Sequence, residues 1–261
     1  MPAAALIRCI AFALVLAALS ALAQAQKAPS TYEPTSGQEG KDVIWVPTPQ
    51  VVVDKMLDMA KVRPSDFVID LGSGDGRTVI TAAKRGAHAL GIEYNPDMVE
   101  LSKRNADKEG VAGKATFVKA DLFETDFSKA SVITMFLLPD INLKLRPKIL
   151  ALKPGTRIVS NTFTMGDWQA DRTATLTPDA GCNTPWCTAL LWIVPARVAG
   201  THTLPQGELT LEQEFQTLSG TLHTEGATFT LKGKVRGEYI TFTAGGREYR
   251  GRMIGKRLEL R

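Results

Sequence analysis

Cysteine and histidine are scarce in this chain, which holds three of each among 261 residues. The histidines, His88, His202 and His223, lie far in sequence from the pair Cys182 and Cys187. Because a structural zinc site needs four such ligands, we expect no metal. In an exported chain, two cysteines with four intervening residues form a disulfide more often than a metal site.

Long apolar runs are also missing, apart from a short one near the N-terminus. Residues 9–23, after Arg8, carry no charge, and Ala23-Gln-Ala25 fits the small-x-small pattern of signal peptidase sites. A membrane-spanning helix needs about 20 apolar residues, so the run is too short to be one. We therefore predict a signal peptide over residues 1–25, cleaved near Ala25. The alternative is an uncleaved anchor. The expected mature protein is exported, periplasmic or secreted, with no transmembrane span.

The rest of the sequence divides by composition into three parts. Residues 26–44 are rich in proline, glycine, serine and charge, which predicts a flexible arm. Residues 45–199 alternate short apolar runs with helical periodicity. This predicts an α/β domain with a doubly wound, Rossmann-like sheet and helices on both faces. Residues 200–261 contain short alternating segments separated by glycines, which predicts a small C-terminal antiparallel β unit. The net charge of +4 is too mild to indicate nucleic acid, and no such partner is expected.

Local patterns predict where several elements begin and end. Thr48-Pro49 is typical of an N-cap followed by proline at the first helical position. Residues 132–138 predict a fourth strand, followed by a helix from about Asn142. Residues 189–194 predict an antiparallel strand at the sheet edge.

A glycine-rich turn, with Gly72, Gly74 and Gly76, follows the first predicted strand and precedes a helix. Glycines in this position let the backbone approach a ligand closely and leave N–H groups free at the helix N-terminus. A dinucleotide fingerprint needs its third glycine three residues after the second, where this chain has Arg77. A P-loop is excluded because no Gly-Lys-Ser/Thr follows.

Acidic residues stand at the ends of three consecutive predicted strands. Asp70 ends the first, Glu93 ends the second and Asp121 follows the third. There they can accept hydrogen bonds from an ammonium group, from ribose hydroxyls and from an adenine amino group, and they would repel a pyrophosphate. A single acid is more often a helix cap or a solvated charge. The three together, beside the glycine turn, predict a ligand with a ribose, an adenine and a cationic amino-acid tail.

The same residues resemble motifs of a known family. Residues 68–77 resemble motif I of the class I S-adenosylmethionine-dependent methyltransferases, residues 91–96 the acidic motif that follows, and residues 120–122 the adenine-binding motif. Val46-Pro-Thr-Pro49 narrows the resemblance to the subgroup that contains archaeal protein-lysine methyltransferases and the mitochondrial ATP-synthase c-subunit lysine methyltransferase. The resemblance covers about residues 44–165.

The resemblance implies S-adenosylmethionine as cofactor and a set of contacts for it. Glu93 should hold the ribose, Asp121 the adenine, and Thr48 the methionine carboxylate. The expected cofactor-binding residues are Thr48, Asp70, Gly72, Ser73, Gly74, Glu93, Tyr94, Asp121 and Leu122.

The sequence departs from the family at residues 136–140, where no Asn/Asp-Pro-Pro-Tyr stands. Methylation of bases or of glutamine through that motif is therefore not expected. Phe136, Leu138 and Pro139 are placed either to line a pocket that desolvates a lysine amine or to pack in the core. Asp140 either receives a proton or caps the next helix, and no catalytic residue is assigned.

Three tryptophans are further candidates for an acceptor groove. They are Trp168, Trp186 and Trp192, and Trp192, inside an apolar run, is more typical of a core residue.

Three functions are compatible with these patterns. The first is methyl transfer to a nucleophilic acceptor, with a protein lysine amine as the candidate. The second is an exported nucleoside- or S-adenosylmethionine-binding protein without transferase activity, because the cofactor is made in the cytoplasm. The third is an envelope-binding module acting through the C-terminal β unit. In that unit residues 232–261 hold nine basic residues against three acidic ones, a pattern that a solvated face also explains.

Overall fold

The computed structural model describes residues 32–255 and 257–260, and residues 34–261 form one compact unit. The predicted signal peptide, residues 1–25, lies outside the described residues, as does the first part of the predicted arm. In the described part of the chain, no helix combines the length and apolar character needed to cross a membrane.

Residues 50–193 build a mixed sheet flanked by helices. Its strands are β1 (Phe67–Leu71), β2 (His88–Glu93), β3 (Ala115–Lys119), β4 (Val132–Met135), β5 (Arg157–Asn161), β6 (Arg172–Thr175) and β7 (Thr188–Ile193). The helices are α1 (Gln50–Met59), α2 (Arg77–Lys84), α3 (Pro96–Lys108) and α4 (Pro139–Leu150), and a short 3₁₀ turn covers Pro178–Ala180.

The strand order in this sheet is β3-β2-β1-β4-β5-β7-β6. The first five strands are parallel, while β7 runs antiparallel to β5 and β6 runs antiparallel to β7. The order reverses between β1 and β4, which makes the carboxyl ends of these strands a topological switch point. The predicted doubly wound fold is confirmed.

The central strands contribute side chains to two separate cores, one on each face of the sheet, as the alternation of side chains requires. In β1, Val68 packs in the core that α1, α2 and α3 cover, whereas Ile69 packs in the core beneath α4. Val132 and Ile133 of β4 divide in the same way. All four side chains are at most 1% exposed, and burying each contributes roughly 1.5–3 kcal/mol. Helices on both faces thereby hold the switch point rigidly.

Three predicted boundaries were wrong. Pro49, not Thr48, is the N-cap of α1, because its carbonyl accepts the N–H groups of Val52 and Val53 and no side chain caps the helix. The strand β4 ends at Met135, and α4 begins at Pro139 rather than near Asn142. The strand β7 is antiparallel as predicted but is not at the edge, since β6 pairs with its outer side.

The C-terminal strands form a second sheet, which confirms the predicted antiparallel β unit. They are β8 (Gly200–Leu204), β9 (Gly207–Glu214), β10 (Thr217–Thr224), β11 (Ala227–Arg236), β12 (Tyr239–Ala244), β13 (Arg247–Ile254) and β14 (Arg257–Leu260), paired in chain order. Alternate residues such as Leu218, Leu222, Ile240 and Phe242 are buried in one cluster. The sheet curls so that β8 and β14 come into contact, which encloses its apolar face.

The hairpin turn between β9 and β10 packs this second sheet against the first. Phe215 stacks on Trp168 with ring centroids 6.0 Å apart, and the Arg146 guanidinium lies over the Phe215 ring, 5.3 Å from its centroid. Phe215 has a φ of 51°, an unfavourable conformation for a residue with a large side chain. The aromatic contact offsets that strain, so the turn is fixed by packing and not by local preference.

Candidate active site

A cavity of about 210 Å³ opens at the carboxyl ends of the central strands, at the switch point. Its wall includes every residue that the sequence predicts to contact the cofactor: Thr48, Asp70, Gly72, Ser73, Gly74, Glu93, Tyr94, Asp121 and Leu122. The three strand-end acids thus border one cavity, as the prediction of a single adenosyl ligand requires.

The glycine turn after β1 forms the floor of this cavity. Gly72 and Gly74 have φ values of 76° and 55°, which favour glycine. A Cβ on Gly74 would lie 2.6 Å from the indole Nε1 of Trp45. The N–H groups of Gly72 and Ser73 both donate to the carbonyl of Ile92, at 2.9 and 3.0 Å, so the turn is tied to the end of β2.

Glu93 connects this turn to the next one. Its Oε2 accepts the N–H of Gly74 and its Oε1 accepts the N–H of Asn95, each at 2.9 Å. Each carboxylate oxygen has a second lone pair. Glu93 can therefore hold both turns in place and still accept the hydroxyl groups of a ribose.

Asp70 is the buried carboxylate of the site, with 5% of its surface exposed. Burial raises the pKa of its carboxyl to about 7, and the negative charges of Glu93 and Asp75 act in the same direction. The opposing effect is a hydrogen bond of 2.6 Å from the Thr134 hydroxyl. A ligand ammonium beside Asp70 would favour the ionised form, so this group fits a cationic amino-acid tail.

Asp121 forms an ion pair within the protein. Its Oδ2 accepts a hydrogen bond from the Lys41 ammonium, which lowers the pKa of Asp121 and raises that of Lys41. Its Oδ1 accepts the N–H of Phe123 at 2.9 Å. The same ammonium lies 4.7 Å from the ring centroid of Tyr94. An adenine amino group that reaches Asp121 must therefore share this carboxylate with Lys41 or displace it.

The cavity wall also contains a segment that the sequence reasoning missed. Residues 38–44, predicted as part of a flexible arm, line the cavity together with Trp45. The N–H of Gly37 donates to the carbonyl of Trp45, and the N–H of Trp45 to that of Gln38, each at 2.8 Å. The apolar run at residues 43–46 was the available signal, because a solvated arm does not need it.

Thr48 lies where this segment enters α1. It is 8% exposed, and its carbonyl accepts a hydrogen bond of 3.0 Å from Arg77. Arg77 is itself paired with Asp75 at 2.6 Å. The chain before α1 is thereby fastened to the first turn of α2.

Aromatic rings line another part of the cavity wall. Phe136, Phe163 and Trp186 are half-buried and contact one another, with ring centroids 5.5–5.8 Å apart. Trp168 and Trp192 are instead fully buried beneath the sheet, with 0% exposure, so neither lines an acceptor groove.

Three further residues that the sequence singled out have defined positions. Leu138 is exposed at the cavity wall. Pro139 and Asp140 are exposed in the first turn of α4 and do not line the cavity.

A disulfide joins Cys182 and Cys187 and closes the loop that carries Trp186. Both cysteines are buried in the core beside α1. This agrees with the pairing that the sequence favours.

The charge of the cavity wall is strongly negative. Its acidic residues are Glu39, Asp42, Asp70, Asp75, Glu93 and Asp121, and its basic residues are Lys41 and Arg77. A wall with this excess of carboxylates attracts cations and repels phosphates.

The chain is similar to proteins of one enzyme family. Residues 70–172 match the ANTKMT methyltransferase domain. A protein-lysine N-methyltransferase of Saccharolobus islandicus (strain REY15A) is 49% identical over 129 residues, which cover 48% of this chain and 80% of that protein. The chain belongs to this family of S-adenosylmethionine-dependent methyltransferases.

Other relatives of the enzyme differ in length and in the acceptor that they are named for. The human ATP synthase c-subunit lysine N-methyltransferase is 35% identical over 143 residues, covering 54% of this chain and 59% of its own length. A crystal structure of an RNA methyltransferase from Salinibacter ruber, in complex with S-adenosyl-L-homocysteine, is 45% identical. The match covers 59% of this chain and 96% of the Salinibacter ruber chain, with a TM-score of 0.53. The enzyme thus spans about three fifths of the human relative.

The family and the cavity together define the chemistry of the site. The enzyme is a transferase that takes S-adenosylmethionine as methyl donor, and a binding protein without transferase activity is not favoured. Asp70, Glu93 and Asp121, which the sequence predicts to contact the donor, all border the cavity.

Proposed function

We propose that the enzyme transfers a methyl group from S-adenosylmethionine to the side-chain amine of a lysine in a protein. The observation that carries this proposal is the 49% identity to the archaeal protein-lysine N-methyltransferase, of which the chain covers 80%. The human relative is also named for a lysine acceptor. The acidic residues of the cavity wall outnumber the basic ones, which suits a cationic side chain better than a phosphate backbone.

The reaction needs a neutral amine as nucleophile. A lysine ammonium must lose its proton to solvent before its nitrogen can form a bond to carbon. The half-buried rings of Phe136, Phe163 and Trp186 border the cavity in which the side chain would lie. When bound, S-adenosylmethionine supplies an electrophilic sulfonium methyl group, whose carbon bonds to nitrogen as the carbon–sulfur bond breaks and sulfur keeps the electron pair. The protein aligns the amine within about 3–3.5 Å of that carbon.

Labelled methyl transfer tests the acceptor class. Purified enzyme is incubated with methyl-labelled S-adenosylmethionine and an extract of cells that lack the gene, and the products are digested separately with protease and with ribonuclease. We expect the label in protein, released by acid hydrolysis as methylated lysine. A control is the enzyme with Glu93→Gln, whose weaker donor binding should reduce transfer at limiting S-adenosylmethionine.

The alternative acceptor is RNA, which the name of the Salinibacter ruber relative suggests for that protein. Label that survives protease but is released by ribonuclease would contradict the lysine proposal. Label that appears on another amino acid would contradict it as well.

We also propose that the enzyme folds in an oxidising compartment outside the cytoplasm. The disulfide between Cys182 and Cys187 supports this, since such bonds are rare in reducing compartments. To test this, cells are quenched with acid, their free thiols are alkylated and the cells are fractionated. Mass spectrometry then determines the state of the two cysteines and the N-terminus of the chain. We expect neither cysteine to be alkylated and a mature chain that starts after Ala25. A cytoplasmic protein with both thiols alkylated would contradict it.

A further inference from the structure

Three aromatic rings form a triangle in the wall of the cavity. The ring centroids of Phe136 and Phe163 lie 5.8 Å apart, those of Phe136 and Trp186 5.8 Å, and those of Phe163 and Trp186 5.5 Å. A group seated against all three rings would lie within about 6 Å of each centroid, the range in which a ring face attracts a cation. All three rings border the cavity.

The fold brings these rings together from three separate places in the chain. Phe136 follows directly on β4, at the switch point. Phe163 follows β5, after Thr162 turns the chain with a φ of 61°. Because Asn161 of β5 is opposite Ala189 of β7, the residues just before β7 lie beside those just after β5. Trp186 is thereby placed against Phe163.

The third ring depends on the disulfide loop. Cys187 is the neighbour of Trp186 and is joined to Cys182. The N–H of Trp186 donates to the Thr184 hydroxyl at 3.2 Å. The N–H of Thr162 donates to the carbonyl of Thr188 at 2.6 Å, which ties the far side of the loop to the turn after β5. This loop lies beyond the residues that match the family domain, 70–172.

We infer that Phe136, Phe163 and Trp186 form the acceptor subsite, and that it holds an alkylammonium group, the methylated side chain of lysine. The inference rests on the proposed function and identifies the residues that select its substrate. Methylated ammonium is weakly hydrated, so it gives up little solvation when it contacts aromatic faces. The negative wall of the cavity adds a long-range attraction for the same charge.

The orientation of the rings favours this group over a flat base. Phe136 and Phe163 are nearly parallel, with an interplanar angle of 18°, whereas Trp186 is tilted against them by 59° and 49°. The three rings therefore do not form one stacking platform. A rounded alkylammonium group can contact rings of different orientation at once, which a flat base cannot.

A binding experiment with a product analogue tests the subsite independently of catalysis. The probe is Nα-acetyl-Nε-trimethyl-lysine amide, whose only charge is on the side chain. It is titrated by ligand-observed NMR into the full-length enzyme saturated with S-adenosylhomocysteine. The comparison compound is a neutral isostere in which a tert-butyl group replaces the trimethylammonium group. We expect the isostere to bind about tenfold more weakly.

Variants locate the binding site. Trp186→Ala is expected to weaken binding of the trimethylated probe about tenfold, while Trp186→Phe, which keeps an aromatic ring, stays within about threefold of wild type. Asn183→Ala, an exposed residue of the same loop, is the matched control and should change nothing. Titration of S-adenosylhomocysteine into each variant shows that the donor site is intact.

Several outcomes would overturn the inference. They are no binding of the probe to wild type, equal binding of the neutral isostere, and full binding by Trp186→Ala. A short single-stranded RNA that binds through Trp186 in place of the probe would overturn it as well. If the enzyme methylates protein lysine but Trp186→Ala binds the probe as well as wild type, the acceptor subsite is refuted and the proposed function stands. If the probe binds through Trp186 but no label is transferred to protein, the proposed function is refuted and the binding site stands.

Discussion

Replacing Glu93 with glutamine is expected to lower the affinity of the enzyme for S-adenosylmethionine about a hundredfold. Both carboxylate oxygens accept backbone N–H groups, from Gly74 and from Asn95. The amide of glutamine has one acceptor oxygen, so its NH₂ group must face one of these donors. Each hydrogen bond to a charged group is worth about 1.5–3 kcal/mol, and every 1.4 kcal/mol changes affinity about tenfold. The near-isosteric change therefore removes the ribose acceptor and loosens the glycine turn together.

Isothermal titration calorimetry measures this effect, with circular dichroism to show that the variant is folded. The matched control is Glu100→Gln on α3, where the glutamate pairs with Lys103 on the exposed surface. An exposed pair of this kind contributes little, so binding should remain within about twofold of wild type. An affinity of Glu93→Gln close to that of the control would show that Glu93 does not hold the ribose.

Replacing Asp70 with asparagine is expected to remove most of the pH dependence of S-adenosylmethionine binding. With a pKa of about 7, the Asp70 carboxyl is largely protonated at pH 6 and largely ionised at pH 8. The ionised form pairs with an ammonium group, so wild-type affinity should rise about tenfold per pH unit up to about pH 7 and then level off. The variant should bind weakly, with a nearly flat profile. A wild-type affinity that is constant from pH 5.5 to 8 would refute the assignment.

The same substitution should stabilise the ligand-free protein at alkaline pH. The folded-state pKa lies above the ordinary value of 3.8, so the folded chain holds this proton more tightly than the unfolded chain. The contribution of Asp70 to stability therefore falls as the pH rises from about 4 to 7. The asparagine side chain does not titrate, so the advantage of the variant in urea unfolding should grow towards pH 8, to at most about 4 kcal/mol. Constant differences between pH 5 and pH 8 would contradict this.

The core of the fold and the donor site could be predicted because local pattern and chemistry agree there. The strand that ends in Asp70, the glycines that follow it, and the acids Glu93 and Asp121 occupy positions that parallel topology brings to one edge. The spacing of the glycines by itself argues against a pyrophosphate site. The positions of these residues could be predicted from the order of the strands, without knowledge of any other tertiary contact.

The remaining walls of the cavity could not be predicted because they depend on contacts between distant segments. Lys41 reaches Asp121 across the chain, and nothing near Lys41 in sequence indicates its partner. The edge strand Arg172–Thr175 was missed because its residues are mostly exposed, so it shows no apolar alternation. Thr48 matched the cap pattern, but the helix begins one residue later, after Pro49.

The excess of carboxylates around the cavity has a consequence for turnover. S-adenosylmethionine carries a positive charge on its sulfonium sulfur, and this charge is lost when the methyl group leaves. The acidic wall therefore attracts the product, S-adenosylhomocysteine, less strongly than it attracts S-adenosylmethionine. A wall of six acids and two bases therefore discriminates between the two by charge as well as by shape. The enzyme should empty its donor site readily after each transfer, and added salt should narrow the difference in affinity.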